Sequence, residues 1–192
     1  TAQERLLSYD RAKQKSLRFL YFIQTEMGFN NLSIDYNEYP SKDGFPPMPY
    51  HRESRRLNGK ITLTLNDIKS PYKQQNSLYR TGIAVGDYPV DHHHGAYSNY
   101  SNLPKLDFYP VPSYSVPLGV LIPENIDNFM VIEKSISVSN LVNGTSRLQP
   151  VVMQIGQASG VLASLGIIKK KNIDQINVRE VQLEILKNNG YI

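Results

Sequence analysis

Apolar residues at helical spacing mark three segments of the chain. Residues 2–27 carry leucines and aromatic residues among Glu, Arg, Lys and Gln, which predicts an amphipathic helix. Residues 150–165 and 178–187 predict two further helices. Each helix is followed by a glycine that fits a helix end. These glycines are Gly28, Gly166 and Gly190.

Alternation with a period of two, and runs of β-branched residues, predict the extended segments. Residues 61–68, ITLTLNDI, alternate and predict a strand. Residues 81–94, TGIAVGDYPVDHHH, predict a second extended segment. The prolines within residues 109–123 favour edge strands and bends, and residues 128–139, NFMVIEKSISVS, predict a buried strand. Together with the helices, these segments predict an α/β fold class, as a mixed α+β fragment.

The composition is that of a folded globular protein. Apolar residues make up 40% and charged residues 20% of the chain. The absence of cysteine excludes disulfides, thiolate metal ligands and cysteine nucleophiles. The net charge of +4 is scattered rather than gathered in a basic stripe, so no nucleic-acid partner is expected. A mild positive excess suits an anionic small molecule or a uronic-acid sugar.

The chain shows no obvious membrane or export signal. No apolar run approaches the roughly 20 residues that cross a bilayer, so no transmembrane segment is expected. The first ten residues lack the pattern of a secretory signal, and the chain begins with Thr1 rather than Met. We therefore expect a processed or excised part of a longer protein. The compartment stays open, and a periplasmic or extracellular parent is compatible with the sequence.

The densest group of titratable residues lies at DHHHG, residues 91–95. In an extended strand His92 and His94 would share a face, while His93 would point the opposite way. Imidazoles titrate close to neutral pH, so these histidines are candidates for general acid or base catalysis. A His-x-His pair holds zinc at a catalytic site only with a third ligand, and no metal is expected here.

A polar turn runs into the second predicted helix at TSRLQPVVMQIGQASG, residues 145–160. Pro150 suits the first helical turn, and Thr145 or Ser146 could cap its N–H groups. Gly144 would let the chain turn tightly just before. A helix start attracts an anion or an electron-rich heteroatom. The small residues Gly156, Ala158, Ser159, Gly160 and Ala163 follow. They permit close approach of a strand or a planar ligand, or packing of a buried helix on a sheet.

A longer stretch carries a family resemblance. The segment YSVPLGVLIPENIDNFMVIEKSISVSNLVNGTSRLQPVVMQIGQASGVLASLG resembles the carboxy-terminal part of FAD-dependent oxidoreductases related to the glutathione reductase and fumarate reductase flavoproteins. It resembles more narrowly a group of large bacterial flavoproteins that often carry the label xanthan lyase. RAKQKSLRFLYFIQTEMG, PPMPYHRESRRLNG and TGIAVGDYPVDHHH resemble that group in the same order. The likeness therefore covers nearly the whole chain.

The resemblance implies FAD as the cofactor and assigns roles to residues. It places Gly144, Thr145, Ser146, Arg147, Leu148 and Gln149 at the flavin ring, where helix amides would stabilise negative charge. It makes Arg52, His92, His93 and His94 catalytic candidates, and Arg55, Arg56 and Tyr97 substrate-binding candidates. Glu133 and Lys134 stand where the family usually has a glycine-arginine turn.

The nucleotide fingerprint of such enzymes is missing from this sequence. No G-x-G-x-x-G turn occurs between a strand and a helix. We therefore expect residues 1–118 to belong to a substrate domain and residues 119–192 to return to the FAD-binding domain. The amino-terminal Rossmann half would be supplied as a missing partner. Alone, the chain is expected to bind FAD poorly or not at all.

Three functional hypotheses follow. In the first, the longer protein transfers a hydride between an organic substrate and the flavin, and a carbohydrate is one candidate for that substrate. In the second, one of the histidines, together with Tyr97 or Tyr100 and with Arg52, serves a polysaccharide lyase. In such an enzyme a base removes the proton beside a uronate carboxylate, and a cation neutralises that carboxylate. In the third, the chain is an inactive interaction module.

Overall fold

The computed structural model describes residues 1–91 and 108–192. It divides into two compact units, residues 1–51 and residues 52–192. The larger unit includes both sides of the boundary predicted after residue 118. That boundary concerns which parts of the chain belong to a flavin domain, and it stays a prediction.

The smaller unit is built on one long helix. α1 spans Ala2–Thr25 and confirms that this segment is a helix. Thr1 caps it in a capping box, because its hydroxyl accepts from the N–H of Glu4 while the Glu4 carboxylate binds back to Thr1. The apolar residues of α1 are not buried, and Leu6 keeps 66% of its surface exposed. Turns occupy the remaining residues 26–51.

The larger unit contains a two-stranded antiparallel sheet. β1 spans Gly82–Gly86 and β2 spans Tyr114–Pro117, with Gly86 opposite Tyr114. β1 lies inside the predicted extended segment 81–94, and β2 lies inside the proline-rich segment. Helices and a small antiparallel sheet together make a mixed α and β structure, which is compatible with the predicted fold class.

The strand predicted at residues 61–68 is largely wrong. Residues Leu65–Lys69 form a short helix, α2. Its start is determined by Thr64, whose N–H and hydroxyl both donate to the carboxylate of Asp67, at 2.8 and 2.6 Å. This capping box ends the extended backbone, and only Leu63 keeps a parallel bridge, to Val138.

The buried strand predicted at residues 128–139 is also wrong as a continuous element. A 3-10 turn at Glu133–Ser135 interrupts it. The apolar, β-branched run predicted burial correctly at Ile136 and Val138, which are almost fully buried, but not at Phe129 and Ile132, which are exposed. It therefore identified some of the buried residues, without the regular hydrogen bonding of a strand.

Three helices complete the larger unit. α3 spans Asn140–Ser146 and was not predicted, α4 spans Gln149–Lys169, and α5 spans Val178–Lys187, as predicted. α4 continues past its predicted end at residue 165. Gly166, which was expected to end the helix, lies buried inside it. The left-handed backbone falls instead on Lys170, with φ of 52°.

α4 is the central helix of this core. It packs on β1 and α5. Val151, Ile155 and Leu162 are almost fully buried on its inner side. Among the described helices, α4 is long and apolar enough to cross a membrane, but the core helix of a folded protein meets the same criterion. Packing covers only part of α4, because 33% of its apolar window is buried and Met153, Ile167 and Ile168 are mostly exposed. The absence of a transmembrane segment stays a prediction.

Candidate functional site

The predicted flavin-facing residues lie at the junction of α3 and α4. α3 ends at Ser146, Arg147 is its C-cap, and Leu148 is the N-cap of α4. Pro150 lies in the first turn of α4, as predicted. Leu148 has no oxygen in its side chain, and within residues 1–91 and 108–192 no side chain accepts from the first N–H groups of α4. Among the described residues, the helix start therefore presents donors that no side chain satisfies.

The predicted capping of α4 by Thr145 or Ser146 is wrong, because both residues lie inside α3. The Thr145 hydroxyl donates to the carbonyl of Tyr88 at 2.6 Å and lies 3.0 Å from the hydroxyl of Tyr114. A hydroxyl has one proton to donate, so Tyr114 is the donor in the second bond. Thr145 thus ties α3 to β2 and to the chain that follows β1.

Tyr114 is almost fully buried at this junction. Its burial raises the pKa of the phenol from 10 to about 12, against the smaller lowering effect of the Thr145 hydrogen bond. The phenol is therefore neutral at physiological pH and serves as a hydrogen-bond donor. Its place in the core favours a structural role.

Gly144 has a different role from the predicted tight turn. It lies within α3 and is buried. A Cβ atom there would meet the carbonyl oxygen of Asp91 at 2.7 Å. Glycine is therefore needed because the backbone of Asp91 packs directly on the helix, not because the chain reverses.

Arg147 is held inside the larger unit. Its side chain is only 5% exposed, and Nη2 donates to the carbonyl oxygen of Asp91 at 3.0 Å and to the Asp91 carboxylate at 3.1 Å. The guanidinium is therefore engaged by one residue through two acceptors. The Arg147 guanidinium is therefore not available to a flavin, and only the backbone of this residue could contact one.

Two buried polar atoms beside the junction have no hydrogen-bond partner within the described structure. They are the hydroxyl of Ser146 and the side-chain oxygen of Asn143. Buried polar atoms are normally paired, and an exception indicates an absent partner or a functional role. Leu148 is half-buried and Gln149 is exposed. The accessible part of the predicted site is therefore residues 148–149 together with the first turn of α4.

The arginine segment, residues 52–56, lies next to α3. The side-chain nitrogen of Asn143 donates to the carbonyl of Arg52 at 3.4 Å, and that of Asn140 donates to the Glu53 carboxylate at 3.0 Å. Arg56 pairs with Glu53 at 3.5 Å, as a partly exposed ion pair. Arg52 and Arg55 are exposed. The fold therefore brings the arginine candidates close to the α3 side of the junction.

Glu133, at which this sequence differs from the family that it resembles, has an unusual backbone conformation. Glu133 has φ of 61°, in the left-handed region that favours glycine. This is the position at which the resembling family usually has a glycine-arginine turn. The turn geometry is thus compatible with a glycine even though the side chain here is a glutamate.

His92, His93, His94 and Tyr97 lie outside the described residues, so their predicted roles stay predictions. The lyase hypothesis depends on them and stays a hypothesis. Within residues 1–91 and 108–192, no group of three His, Asp or Glu side chains is placed to hold a metal ion.

Gln154 is a residue that the sequence did not single out. From α4, its side-chain oxygen accepts from the N–H of Val85 at 2.9 Å, and its nitrogen donates to the Val85 carbonyl at 3.3 Å. The amide thus pairs with β1 as a neighbouring strand would. A polar residue within an apolar helix was the available signal.

The small residues of α4 divide between two faces. Ala158 and Ser159 are buried in the core, as a helix packed on a sheet requires. Gly156 and Gly160 lie on the outer face, where an added Cβ would meet nothing within 4 Å. Contacts inside the described structure therefore do not explain these two glycines.

A family model described as FAD dependent oxidoreductase matches residues 3–185. The chain therefore belongs to the FAD-dependent oxidoreductase family, its cofactor is FAD, and its general function is that of an FAD-dependent oxidoreductase. No curated protein and no solved structure matches the chain.

The residues of the junction fit a flavin ring edge through their backbone. Within the described structure, the N–H groups at the start of α4 have no side-chain acceptor. These donors suit the carbonyl and nitrogen acceptors of a flavin, whereas the Ser146 hydroxyl is buried and not accessible to the ring. The Arg147 guanidinium does not fit this role, since Asp91 already engages it.

Proposed function

We propose that this chain supplies the flavin-facing carboxy-terminal part of an FAD-dependent oxidoreductase that acts on an organic substrate. The observation that carries the proposal is the start of α4, whose first N–H groups have no side-chain acceptor within the described structure. A helix start of this kind stabilises negative charge on a neighbouring ring.

Each part of the junction has a task in this proposal. Bound FAD supplies the hydride chemistry. The N–H groups at the start of α4 hold the ring edge and stabilise its negative charge. The Arg147–Asp91 pair and the Thr145 hydrogen bonds keep that start immobile on the sheet. Rigid donors lose little free energy when charge develops, because they need not reorient.

The arginine segment binds the anionic end of the substrate in this proposal. Arg52 and Arg55 present exposed guanidinium groups, and the bond from Asn143 to the Arg52 carbonyl positions the segment. Guanidinium groups recognise carboxylates through paired hydrogen bonds.

Residues 119–192 form the flavin-domain part in this proposal. An amino-terminal Rossmann half supplies the nucleotide-binding turn that this sequence lacks.

A carbohydrate substrate is supported by an aromatic groove within the smaller unit. The groove has a volume of about 230 Å³ and is lined by Tyr9, Lys13, Phe45, Pro49 and Tyr50. Tyrosine faces stack on the apolar faces of sugars, and the paired charges of Lys13 and Asp43 lie at its side.

A substitution at Gln149 tests the flavin-facing role directly. Gln149→Pro removes one N–H at the first position of α4, where proline is tolerated. Leu148 already has the extended backbone that precedes proline, with φ of −68° and ψ of 144°. In the flavin-loaded parent we expect a more negative reduction potential, because the reduced ring loses a donor worth about 1 kcal/mol.

Gln149→Ala is the matched control, because it removes the same side chain but keeps the N–H. Its reduction potential should stay close to that of the unchanged protein. Equal potentials for the proline and alanine variants would contradict the placement of the ring. A parent that has no flavin absorbance, and gains none on addition of FAD, would contradict cofactor binding itself.

A further inference from the structure

A second cavity lies at the opposite end of β1 from the α3–α4 junction. It has a volume of about 400 Å³ and is formed where the start of β1, β2 and the first turn of α5 meet. The side chains used below are Tyr72, Tyr79, Arg80, Arg179 and Gln182. Nothing in the proposed flavin site uses these residues.

Among the described residues, the cavity is lined by two cationic side chains and by no acidic side chain. The cations are Arg80 and Arg179, and the last residue of the sequence, Ile192, also contributes to the wall. In the part of the chain that the structure describes, neither guanidinium forms an ion pair with an Asp or Glu. Two cations that share a cavity repel each other, and a bound anion would relieve that repulsion.

A buried amide holds the two arginines in place. Gln182 is only 4% exposed. Its side-chain nitrogen donates to the carbonyls of Arg80 and Gly82, at 3.0 and 2.7 Å, and its oxygen accepts from Arg179 Nη1 at 3.0 Å. One buried side chain therefore links the backbone of Arg80 to the guanidinium of Arg179. Such preorganisation lowers the entropy cost of binding a ligand.

Arg179 occupies an unfavourable position for a cation. It lies in the first turn of α5, where the helix dipole repels positive charge. The neighbouring Glu180 is engaged by Lys169, at 2.6 Å. An oxyanion in the cavity would interact favourably with both the guanidinium and the helix start.

The aromatic wall of the cavity adds a preference for a flat group. Tyr72 and Tyr79 meet edge to face, with ring centroids 5.4 Å apart. Aromatic side chains in this arrangement leave faces and edges that a further ring can contact. Tyr79 also receives a hydrogen bond from Arg80 Nε at 3.3 Å, which fixes the guanidinium beside the ring.

We propose that this cavity is a second small-molecule site, which binds an oxyanion, phosphate or carboxylate, between Arg80 and Arg179 and an attached planar ring against Tyr72 and Tyr79. The site is independent of the proposed flavin-facing junction.

Titration of the full chain with phenyl phosphate, benzoate and inorganic phosphate tests this site. Binding is measured by calorimetry, and the side-chain Nε–Hε signals of the arginines are followed by NMR. Phenyl phosphate or benzoate should bind saturably and shift the signals of Arg80 and Arg179, and the tighter of the two identifies the preferred oxyanion. Inorganic phosphate should bind at least about tenfold more weakly than phenyl phosphate, because it lacks the ring.

Arg80→Gln and Arg179→Gln should each weaken binding of the preferred probe by about tenfold or more. Both side chains are exposed, so both variants should fold. Arg18→Gln, an exposed arginine on α1, is the control and should bind unchanged. Equal affinity in all three variants, or no saturable binding up to about 10 mM probe, would overturn the proposal.

Discussion

The two ends of β1 use the same kinds of residue in opposite ways. At the Gly86 end, Arg147 is buried and paired with Asp91, and the tyrosine hydroxyl of Tyr114 is enclosed in a hydrogen-bonded network. At the Gly82 end, Arg80 and Arg179 face a cavity without an acidic partner. Residue type alone therefore does not separate a structural arginine from a ligand-binding one. The location of the nearest carboxylate does.

The largest expected effect is at the packed end. Gly144→Ala places a Cβ atom about 2.7 Å from the Asp91 carbonyl oxygen, so the backbone must shift. We expect the free energy of unfolding to fall by about 3 kcal/mol. Urea denaturation followed by circular dichroism measures the change. A loss below about 0.5 kcal/mol would show that the contact with Asp91 is not rigid.

The next effect is the difference in stability between substitutions of an arginine at each end of β1. Arg147→Met removes one partner of the Asp91 carboxylate, whose side chain is 23% exposed and can partly hydrate. We expect a loss of about 2 kcal/mol, less than for a fully buried pair. Arg179→Met should cost less, about 1 kcal/mol, because the buried oxygen of Gln182 loses its donor while the guanidinium itself is exposed and opposes the helix dipole. Equal losses in the two variants would remove the contrast between the ends.

A smaller effect tests the buried phenol. Tyr114→Phe should cost about 1 kcal/mol near neutral pH, because the Thr145 network loses one hydrogen bond. The raised pKa of Tyr114, about 12 in the folded chain against 10 for an ordinary tyrosine, means that the folded state holds this proton more tightly. Its contribution is complete below pH 10 and is lost as the pH rises towards 12.

Urea midpoints of the unchanged chain and of Tyr114→Phe, measured at pH 9 and pH 11.5, separate this tyrosine from the others. The unchanged chain should lose more stability over that interval than the variant does. Parallel losses in both proteins would mean that the Tyr114 phenol titrates normally.

The smallest effect concerns the outer face of α4, as a counterpart to Gly144. Gly160→Ala adds a methyl group that meets nothing within 4 Å. Alanine favours a helix over glycine, so the chain by itself should gain about 0.5–1 kcal/mol of stability. If a flavin-domain half packs closely on this face, the same substitution should weaken its association. A gain in stability without any effect on assembly would leave the glycine unexplained by packing.

Several features of the fold could be predicted because their signals are local. α1 and α5 have amphipathic spacing and polar caps within a few residues of each end, and both were predicted. The start of α4 at Gln149 and Pro150 could also be predicted, because proline is compatible with the first turn of a helix.

The missed features depend on distant partners. α3 has only seven residues, too few for a clear period, and it is stabilised by contacts with residues around position 90. The strand prediction at residues 61–68 failed because an alternating pattern also fits a short extended run that ends in a capping box. The small residues of α4 indicated close packing, but not that two of them would face outwards.

The sequence by itself determined the family, the helical periods of the long elements and the position of the polar junction before α4, because each is carried by residues adjacent along the chain. Only the tertiary structure decided that Arg147 is paired with Asp91, that Gly144 is needed for a backbone contact, and that Gln182 joins Arg80 to Arg179. Those properties depend on which segments meet in space, and burial and charge pairing act across such contacts.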